Sequence, residues 1–184
     1  MELKIREVVV EDAPALAHVL ITAHEQNYRG IVPPQCLEFT EEQSATNWKR
    51  TLAAGLSDGE FLYVVEAGPT VIGYACGAPY AGDAACGGEL RQINLLPSHH
   101  RRGIGRWLVG KVADRLAERG IHSLCVEVLR CNPNRAFYER LGAEYLSERP
   151  FDWDGCILPM CRYVWRDTAT IRLASQATRQ LELP

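Results

Sequence analysis

Apolar residues recur along this chain in two rhythms, alternate positions and every third or fourth, and their order predicts helices interleaved with strands. Leu3, Ile5 and then Val8 to Val10 read as a first strand. Glu11-Asp12-Ala13-Pro14 follows, with acids and a proline suited to a helix start, and Leu16, Val19, Leu20 and Ala23 keep helical spacing over residues 15–24. An irregular stretch, Tyr28-Arg29-Gly30-Ile31-Val32-Pro33-Pro34, leads to a second helix that starts at Thr40-Glu41-Glu42-Gln43 and runs through Trp48 and Leu52 to Gly55. Residues 61–66 and 71–76 are β-rich on either side of Gly68-Pro69, the pattern of a hairpin. Residues 79–88 are rich in Gly and Ala and predict a loop, and 89–96 alternate weakly and end at Pro97 as a strand.

The strongest helical signal covers residues 104–119. Ile104, Leu108, Val112, Leu116 and Ala117 share one face, Lys111, Asp114, Arg115, Glu118 and Arg119 are solvated, and Gly120 terminates the helix. An apolar strand over 123–129, a short helix over 133–141 closed by Gly142, and strands at 143–146 and 158–165 complete the pattern. Residues 168–184 have helical composition without a strong signal, so 1–167 read as one domain with a C-terminal tail. Strand, Gly-rich turn, helix and strand at the centre require a crossover between parallel strands. The whole order is α/β with a mixed sheet.

Composition narrows the function. A chain of 184 residues with 47% hydrophobic content suits a single self-supporting domain. A net charge of −3 excludes a nucleic-acid surface, and the one basic cluster, Arg101-Arg102 with Arg106, has the size for a single phosphorylated ligand. Seven cysteines, odd in number, scattered and without a CxxC pair, argue against a disulfide framework or a zinc site and for a reducing cytoplasm. Met1 to Glu7 hold no apolar core of signal-peptide length, and no run approaches the roughly 20 apolar residues of a membrane span.

The chemistry concentrates in the turn His100-Arg101-Arg102-Gly103-Ile104-Gly105 ahead of the long helix. A helix N-terminus offers unpaired N–H groups and partial positive charge, which a phosphate satisfies. Gly103 and Gly105 stand where a side chain would block that approach, and Arg101, Arg102 and Arg106 add charge. No Gly-Lys-Ser/Thr follows, so it is not a Walker loop, and the third glycine and closing acid of a dinucleotide fingerprint are absent.

Residues 89–106, Glu89-Leu90-Arg91-Gln92-Ile93-Asn94-Leu95-Leu96-Pro97-Ser98-His99-His100-Arg101-Arg102-Gly103-Ile104-Gly105-Arg106, resemble the central motif of the GCN5-related N-acetyltransferase (GNAT) family: a strand, a proline, then Gln/Arg-x-x-Gly-x-Gly/Ala. Asn132-Pro133-Asn134-Arg135-Ala136-Phe137-Tyr138-Glu139-Arg140-Leu141-Gly142 is similar to the family's second motif. Tyr28 to Pro33 and the ending Tyr163-Val164-Trp165-Arg166-Asp167 are similar to runs in many bacterial members. One position departs from the pattern: His100 stands where the family has Gln or Arg, which predicts a weaker or pH-dependent contact.

The resemblance implies a mixed, mostly antiparallel central sheet of six to seven strands flanked by helices. It implies transfer of an acetyl group from acetyl-CoA to a primary amine by direct attack. Ile93, Asn94, Leu95, His100, Arg101, Arg102, Gly103, Ile104, Gly105, Arg106 and Asn132 would then hold the coenzyme. Tyr138 would be the general acid for the departing thiolate, and a backbone N–H near Leu95 the oxyanion donor. An ammonium near pKa 10.4 must lose a proton before attack, and two bases stand as candidates, Glu127 and Glu89. His24, His99 and His122 have nothing that places them at the site. Helix-cap and core roles account equally well for Asn132 and Tyr138 taken singly.

The acceptor region implied by the family, residues 25–39, 89–91 and 151–156, mixes Tyr28, Phe39, Phe151 and Trp153 with Glu25, Glu38, Asp152 and Asp154. That mixture predicts a cationic amine with some apolar surface, on a small molecule or a peptide. No metal, nucleic acid or membrane partner is implied, and a homodimer is the default assembly. The rival readings are a non-catalytic acyl-CoA-binding or sensing module on the same fold, and a nucleotide-binding regulator.

Overall fold

The computed structural model describes residues 2–57, 59–82 and 85–171. Among these, seven strands form one sheet: β1 (Leu3–Glu7), β2 (Phe61–Ala67), β3 (Thr70–Pro79), β4 (Gly88–Leu95), β5 (Leu124–Leu129), β6 (Glu144–Trp153) and β7 (Cys156–Trp165). Their order is β1-β2-β3-β4-β5-β7-β6, antiparallel throughout except for the parallel pair β4–β5. The helices are α1 (Ala13–Tyr28), α2 (Glu41–Ala54), α3 (Ile104–Ala117) and α4 (Ala136–Arg140).

β2 and β3 read as apolar runs because both of their faces are covered. On one face Ile72, Ala75, Leu90, Leu124 and Val126 pack with Ile104, Leu108, Val112 and Leu116 of α3. On the other, Leu62, Val64, Tyr74 and Cys76 meet Leu16 and Val19 of α1, with Trp48 and Leu52 of α2 half-buried beside them. A capping box sets the start of α2, where Gln43 N donates to Thr40 Oγ1 (3.1 Å) and Thr40 N to Gln43 Oε1 (3.0 Å). α3 crosses from β4 to β5, and Gly120, in the left-handed region at φ +76°, ends it as expected.

Three elements differ from the sequence pattern. The first strand stops at Glu7, because the Asp12 carboxylate accepts from Val9 N (2.9 Å) and from Arg6 (2.7 and 2.8 Å), drawing residues 10–12 into a 3-10 turn. The short helix begins at Ala136, not 133, because Asn132 Oδ1 accepts from Asn134 N (2.8 Å) and holds an Asx turn there. The last two strands are ten residues each and join through Asp154 and Gly155, both at positive φ as a type I′ hairpin requires. The strand expected at 143–146 is the start of β6, and the rest of β6 hides from the pattern because it is an edge strand, mostly exposed and carrying Pro150. Of the tail, 172–184 lie outside the described residues.

Candidate active site

The site begins where the sheet parts. β4 and β5 pair at Gly88↔Leu124, Glu89↔Cys125 and Leu90↔Val126, and no further. Gly77 then faces Leu90 while Cys76 faces Gln92, so Arg91 is the extra residue of a bulge. Beyond it β4 stays with β3 to Leu95, and β5 stays with β7 to Leu129. Among the described residues, the edge of 91–95 that faces β5 therefore has no partner strand.

Two clefts open at this gap, of about 440 Å³ and about 330 Å³. They share Asn27, Ile93, Asn94, Asn132 and Tyr138, and so meet in the middle of the sheet.

The larger cleft runs to the start of α3. Trp107 N is the first to donate within that helix, to Gly103 O (3.1 Å), which leaves the N–H groups of Ile104, Gly105 and Arg106 without helical partners. Arg101 (φ +63°) and Gly103 (φ +81°) fold the turn back on itself. His100, Arg101, Gly103, Gly105 and Arg106 line the cleft; Arg102 does not, and the Ile104 side chain is buried in the core. His100 Nε2 lies 3.0 Å from Leu95 O, so this ring ties the turn to the end of β4. Unpaired amides, two arginines and an open strand edge make a surface suited to a pyrophosphate followed by an amide-bearing arm.

Tyr138 sits at the junction on α4, 9% exposed, against the rings of Phe137, Tyr163 and Trp165. Burial holds its phenol well above the ordinary tyrosine range, with the neighbouring Tyr28 adding to the effect, so it remains protonated. Asn132 Nδ2 donates to the Tyr28 hydroxyl (2.7 Å) while its Oδ1 holds the Asx turn, so the cap and cleft roles coincide.

The two glutamates separate. Glu127 lines the smaller cleft, hydrogen-bonded by Arg149 (Nε to Oε1 2.9 Å) and ion-paired to Arg162 (Nη2 to Oε1 3.0 Å). Burial alone would raise its carboxyl, but the two guanidinium groups hold it below its usual value. Glu89 pairs with Arg91 (3.4 Å) and lines neither cleft.

Two expectations about the acceptor region are corrected. Asp152 and Asp154 do not line the smaller cleft: Asp152 Oδ1 accepts from Gly155 N (2.7 Å) in the β6–β7 turn, of which Asp154 is part. Phe151 and Trp153, on either side of Asp152, do line it. His24 belongs to the site after all, ringed edge-on by Tyr28, Phe39 and Trp153 at centroid distances of 5.6 Å each. Among the described residues its buried Nδ1 has no partner, and burial lowers its pKa to about 4. No local signal in the sequence marked His24 or Asn27, since both depend on how α1 lies across the gap.

A sequence model of the Acetyltransferase (GNAT) family matches residues 24–143. An uncharacterized N-acetyltransferase of Bacillus subtilis, YuaI, is 29% identical over 170 residues, covering 91% of this chain and 95% of that protein. The crystal structure of the paia N-acetyltransferase of Thermoplasma acidophilum, in complex with coenzyme A, aligns at TM-score 0.64 and 21% identity, covering 90% of this chain and all (100%) of the other. A ribosomal-protein-alanine N-acetyltransferase from Brucella melitensis aligns at TM-score 0.65 and 22% identity, over 88% of this chain and 98% of the other. At these identities the structural likeness speaks for the fold.

Proposed function

This chain belongs to the Acetyltransferase (GNAT) family, acyltransferases whose cosubstrate is acetyl-CoA, and we propose that it acetylates a primary amine of a small molecule or peptide by direct attack. The observation that carries this reading is the meeting of the two clefts at Ile93, Asn94, Asn132 and Tyr138. Acetyl-CoA supplies an activated thioester carbonyl.

The N–H groups of residues 104–106, with Arg101 and Arg106, bind the pyrophosphate. The open edge of Ile93 to Leu95 pairs with the pantetheine arm, and an N–H near Leu95 faces the developing oxyanion. Asn132 borders the arm, its amide already oriented by Tyr28 and Asn134. Tyr138 keeps a proton on its hydroxyl at the junction, as a general acid for the departing sulfur must. Glu127, which lines the acceptor cleft, is favoured over Glu89 to take the amine's proton, directly or through water.

Among the described residues no helix is long and apolar enough to cross a membrane. Seven free thiols suit a reducing cytoplasm, where we place the enzyme. Thiol release from acetyl-CoA across a panel of amines, peptides and aminoglycosides tests the activity. Release above hydrolysis with at least one acceptor is expected. Tight coenzyme binding with no release for any of them would return the chain to a non-catalytic binding module.

A further inference from the structure

The smaller cleft carries information about its occupant that the transferase reading does not use. Part of its lining is apolar and aromatic, Leu20, Tyr28, Phe39, Phe151, Trp153 and Met160, and polar side chains, Gln92 and Asn94 among them, line the rest. His24 meets the rings of Tyr28, Phe39 and Trp153 edge-on, at interplanar angles of 84°, 85° and 73° and centroid distances of 5.6 Å, and Tyr28 and Trp153 meet edge-on at 5.5 Å. They come from α1, from the segment before α2 and from the β6–β7 hairpin, so only the folded chain assembles the box. Such edge-on arrays leave ring faces and edges open to another aromatic group, or to a cation lying over a face.

The charges facing this cleft are already matched. Among the described lining residues only Arg91 and Glu127 carry formal charge. Arg91 is paired with Glu60 (3.6 Å) and Glu89 (3.4 Å), and Glu127 with Arg149 and Arg162. His24 is neutral at physiological pH, its pKa lowered to about 4. A ligand with several ammonium groups would desolvate charges that no free acid receives. A ligand with one amine brings a single charge and loses it as it reacts. At about 330 Å³ the cleft lies at the small end of ligand sites.

We propose that the acceptor is a small monoamine whose body is an aromatic ring, seated in the His24–Tyr28–Phe39–Trp153 box with its nitrogen toward the β4–β5 gap. This rests on the acetyltransferase reading, and the test separates the two. Calorimetry on the coenzyme A-loaded protein compares 2-phenylethylamine, n-propylamine and spermidine, and thiol release from acetyl-CoA is followed for the same three. Phenylethylamine binds at least about tenfold more tightly than either other amine, and Trp153→Ala or Phe39→Ala erases about tenfold of that preference. Coenzyme A affinity stays unchanged in both variants, which certifies their fold. Spermidine or propylamine binding as tightly as phenylethylamine overturns the proposal, as does a preference that survives both substitutions. Selective binding of phenylethylamine without thiol release upholds the box and sinks the transferase reading; thiol release led by spermidine does the reverse.

Discussion

Asn132 donates from Nδ2 to the Tyr28 hydroxyl across 2.7 Å, joining the loop after β5 to the last turn of α1 over 104 positions of sequence. The same side chain accepts from Asn134 N, so one amide fixes both walls of the junction between the clefts. Asn132→Ala loses both bonds and should cost about 1–3 kcal/mol in urea unfolding, with the KM for acetyl-CoA rising several-fold. Asn132→Asp keeps the acceptor for Asn134 N and should recover most of the stability but not the affinity for an anionic cosubstrate. Equal behaviour of the two variants would detach this amide from the site.

Tyr138→Phe should lower kcat by about 10²-fold or more while leaving coenzyme A affinity within about twofold. Burial raises the pKa of this phenol, so the proton stays on beyond the ordinary tyrosine value of about 10. A general acid with a raised pKa fails only above that value. The kcat–pH profile should therefore show no descending limb below about pH 10. A silent Tyr138→Phe removes the residue from the chemistry.

The Glu127 carboxyl is held below its usual value, so it is a carboxylate at all pH values above that lowered point. As the base that takes the proton of the bound ammonium, it sets the acid limb of kcat/KM, well below neutrality, and the acceptor ammonium sets the alkaline limb. Replacing an acceptor with one whose amine pKa is about one unit lower should move the alkaline limb of kcat/KM down by about one unit. Glu127→Gln should lower kcat/KM by about tenfold or more, and Glu89→Gln by much less. A larger loss at Glu89 reverses the assignment of the base.

Gly103 sits at φ +81°, and Gly103→Ala should cost about 1 kcal/mol in unfolding and distort the turn. Gly105 has no such strain, but a Cβ there would lie 3.2 Å from the Phe137 ring. Gly105→Ala should thus push on the neighbour of Tyr138 and weaken coenzyme A binding by about tenfold, read by calorimetry, with less effect on stability. A coenzyme affinity unchanged by both substitutions would move the pyrophosphate away from this turn.

What could be read in advance follows from what is local. α3 was legible because its apolar face and Gly120 are written within one helix, and the turn from His100 to Arg106 because strand, proline and glycines follow one another directly. β6 was legible only in its first residues, within 143–146, since beyond them an edge strand with polar side chains and Pro150 is held by its neighbour's backbone rather than by its own alternation. Without the rest of that strand, the alternation that turns Phe151 and Trp153 into the cleft, and Asp152 out of it, was invisible. The place of His24 was hidden for the same reason: its three ring neighbours include Phe39 and Trp153, from distant segments.

The sheet is continuous in strand order, yet only three residue pairs of parallel ladder tie β1–β4 to β5–β7. Mechanically it is two plates on a short seam, with α3 packed across the join. On the proposed placement, a cosubstrate between Ile93–Leu95 and Asn132 would act as a splint, because binding to the native state alone stabilises it by mass action. Backbone amides flanking the seam should exchange with solvent in the free protein and slow when coenzyme A is bound. The lifetime of this protein in a cell would then follow the supply of its cosubstrate, so that a metabolite level is written into protein turnover.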